Sequence, residues 1–79
     1  MALTADQIKN SALTNEQKKV LEGVRAGTIT AIDINASLIT AEEKKAFEAV
    51  RAGSATRVGL SAMHLDPLLK RLLLEHAGV

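Results

Sequence analysis

The sequence lacks the residue types that define several common classes of small protein. It has no cysteine, tryptophan or tyrosine, and Phe47 is its one aromatic residue. Without cysteine, the chain can form no disulfide framework and no thiolate metal site, and it has no thiol nucleophile. Because small secreted proteins commonly depend on disulfides, we expect this chain inside a cell, in the cytoplasm, or within a virion, and not secreted.

Long apolar runs and an excess of one charge sign are also missing. The longest apolar runs are only a few residues, far shorter than a membrane-spanning helix needs. The segment Met1 to Thr4 lacks the basic and apolar stretches of a secretory signal. Ten basic and nine acidic residues leave a net charge of +1, which indicates neither a nucleic-acid nor a membrane partner. We expect no membrane contact.

What the sequence does contain is enough apolar material for one folded domain. Its 79 residues are 47% apolar and 24% charged. That apolar share is too high for an intrinsically disordered chain. A chain of this length holds one small domain at most, so we predict a single helical domain over residues 2–79.

The chain carries an internal repeat of 26 residues. When residues 2–27 are aligned with 28–53, thirteen of the 26 positions are identical, whereas chance would give about two. Residues 54–79 form a divergent third copy of the same length, in which Thr56, Leu60 and Leu65 keep the pattern. We call these segments units one, two and three. Tandem repeats of this length are typical of stacked supersecondary units.

Each unit has the signals of two helices. Thr4 to Gln7 and Thr14 to Gln17 are capping-box patterns that open helices, and the glycine in Arg25-Ala26-Gly27 is typical of a helix end. Asp66-Pro67 is a helix start of the same kind. The sequence therefore predicts an all-α fold, a small helical array of about three tandem 26-residue αα-hairpins (helix-turn-helix-like units). The predicted helices are 5–12, 15–26, 31–38, 41–52, 57–64 and 67–77.

One segment also fits a different structure. Residues 28–39 are rich in β-branched side chains, and Ile32 and Ile34 alternate with polar neighbours as in a strand. The aligned segment of unit one shows no such alternation. Because homologous units should share a conformation, we favour a helix over a strand here.

The last predicted helix is unusually rich in leucine. Leu68 and Leu74 occupy positions where the earlier units carry glutamate. The terminal unit of a repeat array normally has a polar outer face, so this helix is either central in the fold or docked against another chain. We expect docking, with these residues binding the partner: Leu68, Leu69, Leu72, Leu73 and Leu74.

Basic residues also recur at the 26-residue spacing. If the units stack in register, these side chains form basic columns that could meet phosphates or an acidic partner. Interleaved glutamates weaken that potential. The columns would contain the following residues: Lys18, Lys19, Arg25, Lys44, Lys45, Arg51, Lys70 and Arg71.

The sequence holds no pattern that indicates catalysis. Phosphate-cradling glycine motifs are absent, and His64 and His76 stand twelve residues apart without the spacing of a metal site. We therefore expect a non-enzymatic protein with no metal and no cofactor. Its predicted function is a protein–protein interaction or assembly module, for example a small subunit, an adaptor or a structural component of a virion. The partner is another protein chain, in a homo- or hetero-oligomer.

The alternative function is a helix–turn–helix nucleic-acid-binding regulator. The segment from Ile29 to Val50 has the outline of a short helix, a tight turn and a longer helix. Its second helix starts with Glu42 and Glu43, which a phosphate backbone would repel. We therefore regard nucleic acid as the less favoured partner.

Overall fold

A computed structural model describes residues 3–78, and helices are the only regular secondary structure in that range. The predicted all-α class is confirmed. The structure has six helices, namely α1 (Ala5–Lys9), α2 (Asn15–Ala26), α3 (Ala31–Ala36), α4 (Ala41–Ala52), α5 (Arg57–Ala62) and α6 (Pro67–Ala77).

All six helices begin where the capping signals placed them. Thr14 and Thr40 are N-caps with nearly the same backbone angles, φ −68° and ψ 161° against φ −70° and ψ 160°. In each case, the threonine hydroxyl accepts the amide of the third helical residue, whose side chain accepts the amide of the threonine. Asp66 caps α6 by accepting the amide of Leu68, and Pro67 follows at the first helical position. Both kinds of cap satisfy amides that a helix start leaves without partners.

The long helices end as the glycines indicated. Gly27, Gly53 and Gly78 all adopt the left-handed conformation, with φ between 72° and 75°. A glycine has no Cβ to clash in that conformation, so it ends a helix at low cost. α6 is one residue shorter than α2 and α4, and Gly78 accordingly comes one residue early in the 26-residue register.

The short helices end two or three residues before their predicted ends. In α1, the Ser11 hydroxyl donates to the Ile8 carbonyl at 2.6 Å, and the Ser11 amide donates to the same oxygen at 3.2 Å. Ser37 makes the same pair of bonds to Ile34. α5 ends in the same tight turn without a hydroxyl, because the Met63 amide donates to the Leu60 carbonyl at 3.2 Å.

The strand interpretation of residues 28–39 is wrong, and the helix interpretation is confirmed. α3 starts with a capping box between Thr30 and Asp33. Ile34 is buried, whereas 79% of Ile32 is exposed. The alternation therefore reflects one isoleucine that faces the core and one that faces solvent.

Each short helix packs against the long helix that follows it. α1 packs on α2, α3 on α4 and α5 on α6, while α4 contacts both α2 and α6. The C-terminal end of α1 and one side of α6 line a common crevice, so the first and last helices are neighbours. None of the helices in residues 3–78 is long and apolar enough to cross a membrane.

The core is built from positions that recur every 26 residues. Of the fourteen buried apolar residues in the described range, only Leu69 lies outside six such positions. In unit one, these positions are Leu3, Ile8, Leu13, Val20, Leu21 and Val24. In units two and three, their buried counterparts include Phe47 and Leu73, which are fully buried.

A seventh recurring position is polar in the first two units. It holds Gln17, Glu43 and Leu69 in chain order. Only 7% of Glu43 is exposed, and its carboxylate accepts a hydrogen bond from the side-chain amide of Gln17. Leu69 is fully buried. A buried polar group is tolerated when it is hydrogen-bonded, so this contact joins the starts of α2 and α4.

Candidate interaction surface

The structure places three of the five predicted docking leucines inside the protein. Leu69, Leu72 and Leu73 belong to its own core, with 3% exposure or less. In this conformation they cannot contact a partner, because neighbouring helices already cover them. Leu68 and Leu74 are half-buried at the edge of the core. Only these two remain available to another chain.

Leu68 and Leu74 lie at surface positions that are polar in units one and two. Their counterparts are Glu16 and Glu42 for Leu68, and Glu22 and Glu48 for Leu74. All six side chains are half-buried. The fold therefore accommodates glutamate at both positions, and burial alone does not require leucine there.

The glutamates at the second of these positions are held by arginine. Arg25 pairs with Glu22 at 2.5 Å, and Arg51 pairs with Glu48 at 2.6 Å. The hydrogen bond from Arg25 lowers the pKa of Glu22, and Arg51 lowers the pKa of Glu48 in the same way. Surface pairs of this kind contribute little to stability. In unit three, Leu74 and Ala77 replace the pair.

Three large apolar side chains are far more exposed than Leu68 or Leu74. The exposed fraction is 79% for Ile32, 87% for Leu38 and 81% for Val58. None of these three residues belongs to a predicted site. A comparison of the units could have found two of them, since Ile32 and Val58 replace Asp6 of unit one.

The predicted basic residues do not lie together as one column. Lys18 and Lys19 line a groove between α1 and α2, whereas Lys44 and Lys45 line a separate groove between α3 and α4. Arg25 and Arg51 are engaged in their ion pairs. The units do not stack in register along one side, and the recurring cations therefore point into different grooves.

Two of the lysines also have a structural role. The Lys18 ammonium donates to the backbone carbonyl of Lys9, and the Lys70 ammonium donates to that of Ser61, both at 3.0 Å. Each carbonyl lies in the last turn of a short helix, where a cation is favourable. Of the remaining cations, Lys19, Lys45 and Arg71 are exposed.

The grooves between short and long helices have the same construction in units one and two. The α1–α2 groove is lined by Ala5, Asn15 and Glu22 beside Lys18 and Lys19. The α3–α4 groove is lined by the residues 26 positions later, namely Ala31, Ala41, Glu48, Lys44 and Lys45. Each groove thus contains a recurring pair of lysines and one glutamate, and Lys9 adds a third lysine to the α1–α2 groove.

Clefts between units also recur. One cleft lies between α2 and α3 and has a volume of about 570 Å³; its lining includes Glu16, Lys19 and Asp33. The crevice between α6 and α1 is lined by the corresponding residues Leu68, Arg71 and Gln7. Among the described residues, no group of three histidine, aspartate or glutamate side chains could hold a metal ion.

Comparisons of this chain with models of protein families, with curated proteins and with solved structures gave no match.

Proposed function

We propose that this chain is a small interaction or assembly module made of three tandem αα-hairpins, which binds another protein chain through unit three. The recurring core positions and the recurring clefts support the hairpin architecture. In that architecture α6 closes against α1, so no unit is left without a neighbour. The half-exposed leucines of α6 are therefore not explained as the outer face of a terminal unit that lacks a polar cap.

One observation carries the proposal. Leu68 and Leu74 are half-buried, and so are the glutamates at the same positions of units one and two. Since those units fold with charged side chains there, the leucines of unit three are better explained by a partner than by packing within the chain. Removing half-exposed apolar area from water on binding contributes roughly 25 cal/mol per Å².

The location that suits such a module is the interior of a cell or a virion. The chain has no cysteine and therefore none of the disulfides on which small secreted proteins commonly depend. A small subunit, an adaptor or a structural component of a virion would each fit a chain of this size.

The proposal predicts that the double variant Leu68→Glu/Leu74→Glu loses its partner but keeps its fold. Because glutamate occupies both positions elsewhere in the chain, we expect the circular dichroism spectrum to stay the same. Light scattering reports self-association, and quantitative cross-linking in the native source reports binding to a different chain. We expect the substitution to reduce the associated fraction at least tenfold, which corresponds to about 1.4 kcal/mol.

The matched control is Ile32→Asp. It removes an exposed apolar side chain from unit two and installs the residue type that unit one carries at that position. We expect it to leave association unchanged. A monomeric wild-type protein without any cross-linked partner would contradict the proposal, as would a double variant that associates as well as the wild type. Duplex DNA binding with a steep salt dependence would favour the helix–turn–helix function instead.

A further inference from the structure

The crevice between α6 and α1 has one charged wall and one uncharged wall, and its volume is about 330 Å³. The wall formed by α1 and the turn after it consists of uncharged residues, namely Gln7, Asn10, Ser11 and Ala12. The wall formed by α6 consists of Leu68, Arg71, Leu72 and Glu75. The spacing of these four residues places them on one side of the helix. The charges that line the crevice are therefore one cation and one anion, both on α6.

These two charged side chains are not paired with each other. The two ion pairs found within residues 3–78 lie in α2 and α4. Arg71 is exposed, and Glu75 is half-buried. A guanidinium and a carboxylate that stand about one helical turn apart are therefore available along the crevice to another molecule.

The matching cleft between α2 and α3 has a different charge balance. Its lining holds three carboxylates and one cation, namely Glu16, Glu22, Asp33 and Lys19. Even after Arg25 neutralises Glu22, an excess of one acid remains. A surface with an excess of one sign repels a copy of itself, whereas a surface with one charge of each sign can pair with a copy. Of the two, the crevice between α6 and α1 has the charges that suit a second copy of this chain.

A twofold axis would bring the opposite charges together twice. In a twofold dimer, the same surface contacts itself, so a contact from residue i to residue j is accompanied by one from j to i. Two antiparallel α6 helices can therefore place each Arg71 against Glu75 of the other copy. Packed helices lie about 8–10 Å apart, a distance that an arginine and a glutamate side chain span together.

The same arrangement covers the half-buried leucine that lines the crevice. Leu68 lies three residues before Arg71, and Gly78 lies three residues after Glu75. Twofold symmetry would therefore bring Leu68 against the end of the second α6 at Gly78, which is exposed and has no side chain to obstruct the contact. The uncharged wall of the crevice adds no like charge beside it.

We infer that the partner of unit three is a second copy of this chain, whose α6 lies antiparallel along the crevice between α6 and α1 with reciprocal pairs between Arg71 and Glu75. This inference rests on the proposed function and names the partner. Because exposed ion pairs contribute little each, we expect a weak dimer with a dissociation constant in the micromolar range. A contact of this symmetry closes at two copies and does not extend into a filament.

Two variants of opposite charge test the reciprocal pairs. Arg71→Glu leaves two acids on this side of α6, and Glu75→Arg leaves two bases, so each variant alone brings like charges together across the axis. Sedimentation equilibrium of the full chain should show at least tenfold weaker self-association for each variant. An equimolar mixture of the two should associate within about threefold of the wild type, because every pair across the contact is then of opposite sign.

The controls separate this contact from folding and from overall charge. Thermal melts followed by circular dichroism check that both variants fold, which we expect because neither residue belongs to the buried core. Lys19→Glu reverses the residue that corresponds to Arg71 in the cleft between α2 and α3, and it should change self-association less than twofold. Added salt should weaken the wild-type dimer, because salt screens charges at a surface.

Two results would overturn the inference. They are a wild-type protein that stays monomeric up to about 1 mM, and charge variants whose mixture associates no better than either variant alone. A monomeric protein that is cross-linked to a different chain, and loses it on Leu68→Glu/Leu74→Glu substitution, would uphold the proposed function and overturn this inference. A dimer that responds to the charge variants as expected but ignores the leucine substitutions would uphold the reciprocal contact and overturn the role proposed for the leucines.

Discussion

Gly23 and Ile29 fit together because one is small and the other large. A Cβ placed on Gly23 would lie 2.8 Å from the Cβ of Ile29. This distance is a steric clash, so one of the two residues would have to shift. The corresponding pair in units two and three is Ala49 and Ala55. The backbone there is alike, since the amide of residue 28 donates to Gly23 and that of residue 54 to Ala49, at 3.0 and 2.9 Å. The two pairs are therefore alternative solutions of one packing problem.

The pair predicts a sign change in a double-mutant cycle. In the wild type, Gly23→Ala should lower the free energy of unfolding by about 1–2 kcal/mol because the new methyl group overpacks the contact. In the Ile29→Ala background the clash is gone. There, Gly23→Ala should raise the free energy of unfolding by about 0.5–1 kcal/mol, because alanine has the higher helix propensity. Urea denaturation of the four proteins measures the coupling. Equal effects of Gly23→Ala in both backgrounds would contradict the packing argument.

The side chains whose role could be predicted were those with local partners. Thr14 and Thr40 make their hydrogen bonds three residues along the chain, so the sequence already contains the whole capping interaction. Glu43 could not be interpreted in this way, because its partner Gln17 is 26 residues distant. Leu69 and Leu72 were predicted to bind a partner, but they are buried. Their burial depends on how the other helices pack around α6, which the sequence does not show.

At the scale of helices, the contact between Gln17 and Glu43 links α2 to α4. Glu43 also accepts the Thr40 amide at 2.8 Å. One carboxylate therefore closes the cap of α4 and joins two helices while almost fully removed from water. Removing a buried hydrogen-bonding group leaves its partners unsatisfied, which is more costly than losing a surface contact.

We predict that Glu43→Ala lowers the free energy of unfolding by about 2 kcal/mol. Glu43→Gln keeps an oxygen for the Thr40 amide, as Gln17 does for Thr14, but it turns its NH2 group towards the NH2 group of Gln17, and because two donors then face each other it should cost about 1–2 kcal/mol. Glu42→Ala, at the half-buried neighbouring residue, is the control and should stay within about 0.5 kcal/mol. Chemical denaturation measures all three. An equal loss for Glu42→Ala and Glu43→Ala would show that the link does not stabilise the fold.

The starts of the helices were predictable and the ends of the short ones were not. A start depends on a cap that the sequence displays. The short helices end in a tight turn, in which the carbonyls of Ile8, Ile34 and Leu60 each accept the amide three residues later, and the sequence pattern of a helix continues beyond that turn. Whether α6 was central or peripheral also required the structure, since its leucines suit either place.

At the scale of the whole molecule, the proposed function depends on whether unit three closes on unit one. The crevice between α6 and α1 is lined by counterparts of seven of the ten residues that line the cleft between α2 and α3, with Leu68 at the place of Glu16 and Arg71 at that of Lys19. If unit three meets unit one as unit one meets unit two, every hairpin has two neighbours. Because Glu16 lines the matching cleft where Leu68 lines this crevice, closure does not by itself require leucine at that position.

A circular permutant tests whether unit three closes on unit one. The permuted chain begins at Thr28, joins Val79 directly to Ala2 and ends at Gly27, so that Leu3 follows Gly78 by three residues, as Ile29 follows Ala26. The measurement is its thermal unfolding, followed by circular dichroism. If unit three closes on unit one, we expect the permutant to have the helical content of the parent and to unfold cooperatively. Its midpoint should lie within about 10 °C of the midpoint of the parent, which corresponds to a difference of roughly 2 kcal/mol in the free energy of unfolding. A permutant that is unfolded, or that melts without cooperativity, would contradict closure and the role assigned to the leucines of unit three.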